Sequence, residues 1–258
     1  MSREHEDRLL FDRIAQKYAR KDTAISSALA RKDQLMTAMQ QAAETDAPAR
    51  WGIIVDVGCG VGAPALYLQG QYQKYIGIDQ SPEMIEAAKV FHRDNAQAEF
   101  FADNVKETNL PPRSADAILS IGALHHMTEL DKVMHSLVSI AKPKAKFIVI
   151  EPQNGNPFIQ FMRWMRGIVD KGYSTDQIFF AESELVDLFT RHGITDLKIS
   201  YQGYFSTPFA QVIASNNKFL VALSRLSIRM DNWLQSHLRG PLQKLSFDII
   251  ITGVFPSG

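Results

Sequence analysis

A glycine-rich loop between an apolar run and a helical pattern constrains the fold of this chain more than any other feature. Residues 53–57 are mostly β-branched, which predicts a buried strand, and the sequence Gly-Cys-Gly-Val-Gly follows directly at 58–62. Glycines let the backbone turn tightly and approach a ligand, and a helix that begins there offers free N–H groups. The pattern therefore predicts a ligand-binding loop at the carboxyl end of the first strand.

Strands and helices alternate after this loop. A helical pattern begins at Ser81-Pro82, with Ser as the N-cap and Pro in the first helical position. Such alternation predicts βαβ units, and hence an α/β domain with a mainly parallel sheet and helices on both faces. The predicted strands are 75–78, 98–101, 115–120, 146–150, 194–201 and 245–254, and the predicted helices are 82–93, 129–141 and 182–192.

Three segments lie outside this alternation. Residues 1–50 are polar with apolar positions at helical spacing, which predicts an N-terminal helical cap of two helices with a break near Asp22. The main domain is predicted to span 51–258. Within it, residues 152–181 and 205–244 are predicted to be insertions that form a lid over a substrate.

Composition excludes several classes of protein. The 258 residues carry 28 basic and 28 acidic side chains, and this zero net charge argues against a nucleic-acid binder. A single cysteine forms no internal disulfide, and the charged start of the chain has no signal-peptide core, so a cytoplasmic location is expected. No run approaches the roughly 18 apolar residues that a membrane-spanning helix needs.

Two acids follow the next predicted strands. Asp79 lies 21 residues beyond Gly58, at the end of the second strand, where a carboxylate can accept both ribose hydroxyls of an adenosine. Asp103 follows the third strand and is placed to accept from an adenine amino group. Because parallel strands end at one edge of a sheet, these acids are expected beside the glycine loop.

Two cofactors fit an adenosine site of this kind. The spacing of Gly58, Gly60 and Ala63 satisfies the dinucleotide fingerprint G-x-G-x-x-G/A. However, Asp56 immediately precedes the loop, and its carboxylate would repel a pyrophosphate and attract a cation. S-adenosylmethionine (SAM) carries a sulfonium and an amino group and no phosphate, so SAM is favoured over NAD.

These motifs resemble those of the class I SAM-dependent methyltransferases, in particular the small-molecule branch of ubiquinone, menaquinone, sugar and natural-product methyltransferases. The resemblance covers about 51–151 and implies a Rossmann-like, seven-stranded, mostly parallel sheet with an antiparallel last hairpin. One departure is Lys-Pro-Lys-Ala at 142–145, where a Pro-Gly-Gly turn usually precedes the fifth strand. The residues that carry the resemblance are 55–62, 77–85, 102–103 and 124–127.

The resemblance implies that SAM, and S-adenosylhomocysteine after transfer, bind at these strand ends. Asp56, Gly58 and Gly60 would hold the methionine part, and Asp79 would bind the ribose. The chain has no metal-ligand spacing among its histidines and acids, so no metal is expected. The full set of implied cofactor contacts is Tyr18, Asp56, Gly58, Cys59, Gly60, Asp79, Gln80, Met84, Asp103, Asn104 and Ser120.

The adenine end of the implied site draws on two further elements. Gln80 or Met84 would flank the adenine, and Asp103 would bind its amino group. The helical segment at 11–18 resembles the first helix of the same branch, in which an aromatic residue such as Tyr18 lies over the cofactor. Cys59 is expected to be a small buried residue of the loop rather than a nucleophile, since no base adjoins it in the sequence.

Candidate catalytic residues follow the fourth and fifth strands. His125 and His126 come after the fourth strand, and Glu151 closes the fifth, so all three point to the same cleft. A hydroxyl acceptor loses a proton as it attacks, which favours a general base, and an imidazole is suited to that role near neutral pH. We expect methyl transfer to oxygen, with His125 as base and Glu151 orienting it. The alternative is that the histidine pair only shapes the floor of the cofactor site.

The acceptor is expected to be small or lipid-like. Apolar side chains of the first insertion are candidates for its pocket or for plain helix core, and they are Phe158, Phe161, Trp164 and Met165. The segment 205–244 has five basic residues against Asp231 alone, interleaved with apolar ones, which fits either a lid or contact with an anionic membrane. A SAM-binding protein without turnover and an NAD-dependent oxidoreductase are the alternative functions, and the oligomeric state is left open.

Overall fold

A seven-stranded sheet organises the chain. The computed structural model describes residues 3–43, 50–154, 156–157, 160 and 180–257. The strands lie in the order β3-β2-β1-β4-β5-β7-β6. Their bounds are β1 (Trp51–Val57), β2 (Tyr72–Asp79), β3 (Ala98–Ala102), β4 (Ala115–Ile121), β5 (Ala141–Pro152), β6 (Thr195–Gln202) and β7 (Asp248–Val254).

The first five strands are parallel, and β7 is antiparallel between β5 and β6. In the centre of the sheet Val55 of β1 pairs with Ile76 of β2 and with Ile118 of β4. The order reverses between β1 and β4, and a ligand cleft of an open α/β sheet lies at such a switch point. The predicted sheet, including its antiparallel last hairpin, is confirmed.

Helices cover both faces of the sheet in the described part of the chain. Short 3₁₀ helices occur at Val105–Glu107, Leu124–His126 and Gly240–Leu245. The α-helices are α1 (Arg3–Thr23), α2 (Ile25–Ala43), α3 (Ala63–Tyr67), α4 (Pro82–Phe91), α5 (Leu130–Ile140), α6 (Glu182–Arg191), α7 (Ser206–Val212) and α8 (Lys218–His237). None of these described helices is long and apolar enough to cross a membrane.

The hydrophobic core has two layers separated by the sheet. One layer joins α5 and α6 to the sheet, with Leu137 and Phe189 in the same cluster as Phe147. The other joins α2 to the opposite face, where Met39 lies in the same cluster as Ile148. Alternating residues of β5 thus serve both layers, as expected for a strand buried on both sides.

The two N-terminal helices have different positions. The chain breaks at Ala24, close to the predicted break near Asp22, and α2 then runs along the sheet face. Leu35 and Met39 of α2 are almost completely buried, so this half of 1–50 belongs to the main core. In contrast, α1 packs mainly against α4, beside the carboxyl edge of the sheet.

Three predicted strand starts are wrong. β2 begins at Tyr72 and not at 75. β5 begins at Ala141, directly after α5, so residues 142–145 lie in the strand, where the Lys142 ammonium donates to the Asp116 carboxylate at 2.7 Å. The last strand begins at Asp248 and not at 245, because Gly240–Leu245 forms a 3₁₀ helix. The pocket residues proposed for the first insertion (Phe158, Phe161, Trp164 and Met165) lie outside the described residues.

The second insertion packs on α2. The Ser224 hydroxyl of α8 donates to the Ser26 carbonyl of α2 at 2.7 Å. The buried Asp231 carboxylate of α8 accepts from the backbone N–H groups of Phe205 and Ser206 at 2.8 and 2.9 Å, and so holds the start of α7. These contacts fix α7 and α8 as one unit beside α2.

Because α2 is part of the core, truncating its buried face should destabilise the whole domain. We expect Met39→Ala to lower the free energy of unfolding by about 2–5 kcal/mol, the usual cost of such a core truncation. The matched control is Gln40→Ala, an exposed position on the same helix, which should change it by less than about 0.5 kcal/mol. Urea unfolding followed by circular dichroism measures both. An unchanged main transition in Met39→Ala would mean that residues 1–50 fold apart from the sheet.

Candidate functional site

The glycine loop is tied to the end of β2. The N–H groups of Gly58 and Cys59 both donate to the Ile78 carbonyl, at 2.8 and 3.1 Å. The Gly60 N–H donates to the Asp79 carboxylate at 2.9 Å. Gly60 has a φ of +52°, and a Cβ built on it would meet no atom within 4 Å. One side of the loop is therefore open, and its backbone is accessible to a ligand.

Asp79 lies between the loop and the start of α4. One carboxylate oxygen accepts from Gly60, and the other accepts from the Ser81 N–H at 2.9 Å. Burial raises the pKa of Asp79, and the nearby Asp12 carboxylate adds to this shift, whereas the two backbone donors oppose it. The carboxylate is half-buried, so it retains acceptor capacity towards the cleft.

Asp56 is almost completely buried near the end of β1. The Tyr75 hydroxyl donates to one of its oxygens. Burial raises the pKa of Asp56 to about 7, the Asp79 charge adds to the shift, and the Tyr75 hydrogen bond opposes it. A carboxyl that is partly protonated at neutral pH repels a pyrophosphate less than the sequence indicated, so the charge argument against a dinucleotide is weakened.

Two buried oxygen atoms at the carboxyl ends of neighbouring strands lack a partner. Among the described residues, neither Oδ1 of Asp56 on β1 nor Oγ of Ser120 on β4 has a hydrogen bond. A buried polar atom without a partner is costly, and in native structures it often marks a ligand or water position. The two atoms flank the switch point of the sheet.

Cys59 is a buried packing residue, as expected. Burial raises the pKa of its thiol well above the ordinary value, and the carboxylates of Asp79 and Asp56 raise it further. The Sγ atom lies 2.8 Å from the position that a Cβ on Gly77 would occupy, so Gly77 leaves room for it. A thiol in this state is not a nucleophile.

Asp103 and Asn104 lie at the same edge but bond within their own loop. The Asp103 N–H donates to the Asp79 carbonyl at 3.0 Å, which brings the two acids together. The Asp103 carboxylate accepts from the Thr108 hydroxyl at 2.8 Å and from the Asn104 N–H at 2.9 Å. The Asn104 side chain caps the following 3₁₀ helix by accepting from the Lys106 N–H. These bonds occupy part of the acceptor capacity that the sequence assigned to an adenine.

α1 lies over the loop and the start of α4. Met84 is buried in a small apolar cluster with Val61 of the loop and Ala15 of α1, and Tyr18 packs at its side. Gln80 is half-buried at the end of β2. Tyr18 and Met84 are therefore brought together beside the loop, and the cofactor contacts expected of them stay predictions.

His125 and Glu151 form a buried pair at the ends of β4 and β5. Nδ1 of His125 lies 2.6 Å from Oε2 of Glu151. The other carboxylate oxygen accepts from the N–H groups of Ala123 and Leu124, at 2.9 and 2.7 Å. Glu151 is fully buried and His125 almost so. The sequence had proposed both residues, and their separation and burial suit a histidine held by a carboxylate.

His126 faces α1 instead of Glu151. Its Nδ1 lies 3.3 Å from the Asp7 carboxylate, and the Phe11 ring packs edge-on at 4.9 Å between centroids. Burial lowers the pKa of His126, an effect that the Asp7 contact opposes.

Sequence reasoning missed three residues of α1, although two of them lie in the helical segment at 11–18 that it had singled out. The three are Asp7, Phe11 and Asp12. The Ser81 hydroxyl donates to Asp12 at 2.5 Å.

The raised pKa of Asp56 makes stability depend on pH. The folded state binds this proton up to about pH 7, whereas an unfolded aspartate loses it near pH 4, so this contribution to stability falls as pH rises between those values. We expect Asp56→Asn to raise the free energy of unfolding at pH 8 by about 1.4 kcal/mol or more, the value of a single pKa unit. The exposed Asp94→Asn is the matched control. Equal stabilities of Asp56→Asn and wild type from pH 4 to 8 would contradict the burial of a shifted carboxyl.

Known proteins share this domain. Residues 55–149 match the family model described as a methyltransferase domain. Tocopherol O-methyltransferase of Arabidopsis thaliana is 25% identical over 194 residues, which cover 68% of this chain and 54% of the plant protein. The chain spans between 37% and 54% of the length of the first curated relatives that it matches.

Solved structures share the fold. A SAM-dependent methyltransferase of Thermotoga maritima superposes with a TM-score of 0.64 at 17% identity, over 98% of this chain and 99% of that one. Phosphoethanolamine N-methyltransferase 2 of Haemonchus contortus, solved in complex with SAM, gives a TM-score of 0.58 at 15% identity, over 86% and 52%. Since the domain match covers the strands that carry the glycine loop, on a sheet of this order, residues 55–149 form a methyltransferase domain of the class I SAM-dependent type.

Proposed function

We propose that this protein transfers the methyl group of SAM to a hydroxyl oxygen of a small or lipid-like acceptor. The observation that carries the proposal is the buried contact of 2.6 Å between His125 and Glu151, at the edge of the sheet that also holds the glycine loop. A base held by a carboxylate at this place suits an acceptor that loses a proton as it attacks.

The described residues fit the cofactor. The open side of Gly60 leaves room for the amino-acid part of SAM, and the half-buried Asp79 is placed for the ribose hydroxyls. An ammonium group would supply the donor that Oδ1 of Asp56 lacks. When bound, SAM supplies an electrophilic methyl group on its sulfonium, and the transfer depends above all on alignment with the acceptor.

His125 is proposed to take the acceptor proton. If its Nδ1 carries the hydrogen that is donated to Glu151, Nε2 is left with a lone pair, so the contact selects the tautomer that a base needs. The Glu151 carboxylate then stabilises the imidazolium that forms. This arrangement of base and orienting carboxylate is the general one for histidine bases.

Glu151 is proposed as a positioning residue. Its second oxygen holds the N–H groups of Ala123 and Leu124, which fixes the turn that carries His125. A change at Glu151 therefore moves the base as well as removing its charge partner. His126, which faces α1, is proposed to contribute to the wall of the site.

Relatives support the class of acceptor. The matched plant protein is named for O-methylation of tocopherol, and another relative for N-methylation of norajmaline. Both names denote small organic acceptors. The neutral overall charge of this chain also suits a small molecule better than a nucleic acid.

A labelling experiment tests the proposed acceptor class. The protein is incubated with methyl-labelled SAM and a panel of phenols, alcohols and amines, and mass spectrometry identifies the labelled products. Label on amines alone would refute transfer to oxygen, and bound SAM without labelled product would favour a non-catalytic role.

Loss of the Asp79 carboxylate should weaken SAM binding. We expect Asp79→Ala to lower the affinity by about tenfold to 150-fold, which corresponds to the roughly 1.5–3 kcal/mol of a hydrogen bond to a charged group. Titration calorimetry measures it, and Asp94→Asn, an exposed acid just after α4, serves as the control. NADH binding by the wild type with no SAM binding would instead support the oxidoreductase alternative.

Loss of the base should lower turnover and leave the cofactor affinity nearly unchanged. We expect His125→Ala to reduce kcat by about 10²–10⁴-fold, the usual contribution of a general base. The exposed His135→Ala on α5 is the matched control and should retain full turnover.

Glu151→Gln separates positioning from a purely structural role. The amide still accepts a hydrogen bond, so we expect the fold and the SAM affinity to persist while kcat falls. Near-normal turnover in both His125→Ala and Glu151→Gln would mean that transfer proceeds by proximity alone and that the histidine pair only shapes the cofactor floor.

A further inference from the structure

α8 exposes a continuous apolar stripe. Five of its side chains follow one another at spacings of four, three, four and three residues, which places them on one face of a helix. Phe219 is 74% exposed and Trp233 is 59% exposed, at opposite ends of the stripe. A row of large exposed apolar side chains is unusual on a protein surface and marks an interaction site. The stripe consists of Phe219, Leu223, Leu226, Met230 and Trp233.

The opposite face of α8 holds the helix to the protein. Val221, Ser224, Ser227 and Asp231 are buried there. Ser224 donates to α2, and Asp231 accepts from the first residues of α7. Because these contacts fix the rotation of the helix, the apolar stripe points away from the body of the domain.

The exposed charge of α8 has a single sign. Lys218, Arg225 and Arg229 are exposed and lie along one flank of the stripe at helical spacing. Asp231 is the only acidic residue in the described helix, and its side chain is fully buried. A helix of 20 residues is roughly 30 Å long, so the apolar stripe and its basic flank form an extended surface.

We propose that the stripe and basic flank of α8 dock on the surface of an anionic lipid bilayer. An amphipathic helix with Trp, Phe and Leu on one side and Lys or Arg beside them lies in the plane of the membrane interface. The apolar side chains enter the boundary between headgroups and acyl chains, and the three basic residues contact lipid phosphates. The helix does not cross the bilayer.

A second copy of the chain fits this surface less well. Two stripes that packed antiparallel on each other would bring their basic flanks to the same side of the interface, where like charges are repulsive. Among the described residues of α8 no exposed carboxylate offsets this repulsion. An anionic lipid surface instead complements the charge along the whole flank.

α7, whose start is held by the buried Asp231 of α8, contacts the catalytic edge. The Thr207 hydroxyl of α7 donates to Asp248 at 2.9 Å, and Asp248 pairs with Pro152 at the end of β5, one residue beyond Glu151. Docking through α8 would thus bring this edge of the sheet near the lipid, where a lipid-like acceptor resides. The link between docking and a lipid-like acceptor rests on the proposed function. The docking of α8 on the bilayer does not.

Vesicle flotation of the full chain tests the docking. Vesicles of phosphatidylcholine with about 30% phosphatidylglycerol provide the anionic surface, and pure phosphatidylcholine vesicles provide the neutral one. We expect the protein to float with anionic vesicles at low salt, to float much less with neutral vesicles, and to be released at about 0.5 M NaCl.

Variants assign the binding to α8. We expect the double variant Arg225→Gln/Arg229→Gln to have about 30-fold lower affinity for anionic vesicles. Each basic residue near an anionic surface raises the affinity roughly fivefold, and the two factors multiply. Phe219→Ser/Trp233→Ser should also abolish most of the binding. Matched controls on and just after α4 are Lys89→Gln/Arg93→Gln for charge and the exposed Val90→Ser for apolar area, and both should bind like the wild type.

Several outcomes would overturn the proposal. These are no flotation with anionic vesicles at low salt, equal flotation with neutral vesicles, or α8 variants that bind like the wild type. A dimer in light scattering that Phe219→Ser/Trp233→Ser converts to a monomer, without vesicle binding by the wild type, would show that a second copy covers the stripe. SAM calorimetry and labelled-methyl transfer to soluble acceptors need no membrane, so failure of docking remains distinct from failure of the proposed function.

Discussion

The buried carboxylate of Glu151 is the interaction on which the catalytic edge depends. A charge with no exposed surface is tolerated in a protein only when hydrogen bonds satisfy it, and here two backbone N–H groups and a histidine ring do so. Those donors lie in the turn after β4, so Glu151 at the end of β5 fixes the conformation of that turn. His126 then faces α1, which packs on it through Phe11. One fully buried side chain thus links two strands, a turn and the N-terminal helix.

Much of this arrangement could be predicted from local sequence. The strand that precedes the glycine loop is β-branched, and Ser81-Pro82 begins α4 as the capping rules require. The seven strands and the antiparallel last hairpin followed from the family resemblance. Asp79, His125 and Glu151 lie at the expected edge because parallel strands end at one edge. Residues at strand ends are predictable since their neighbours in space are set by topology alone.

The parts of the structure that the sequence did not predict depend on contacts between residues far apart in the sequence. Asp7 meets His126 across 119 positions, a relation that no periodicity encodes. The start of β5 was missed because Lys142 is held in the strand by Asp116, a tertiary partner that overrides a turn-like sequence. Asp103 was assigned to a ligand, yet its own loop offers a hydroxyl and backbone donors at close range. Aspartate side chains commonly accept hydrogen bonds from nearby groups of their own loop, which then compete with a ligand for the carboxylate.

The buried thiol of Cys59 gives the protein a built-in reporter. It is the only cysteine among the 258 residues, and it is enclosed between the glycine loop and Gly77 with a pKa raised by burial. Thiol reagents attack the thiolate at an accessible sulfur, so alkylation of the native protein requires the loop to open first. The rate of modification therefore measures local opening at the cofactor loop, with no engineered label and no competing site.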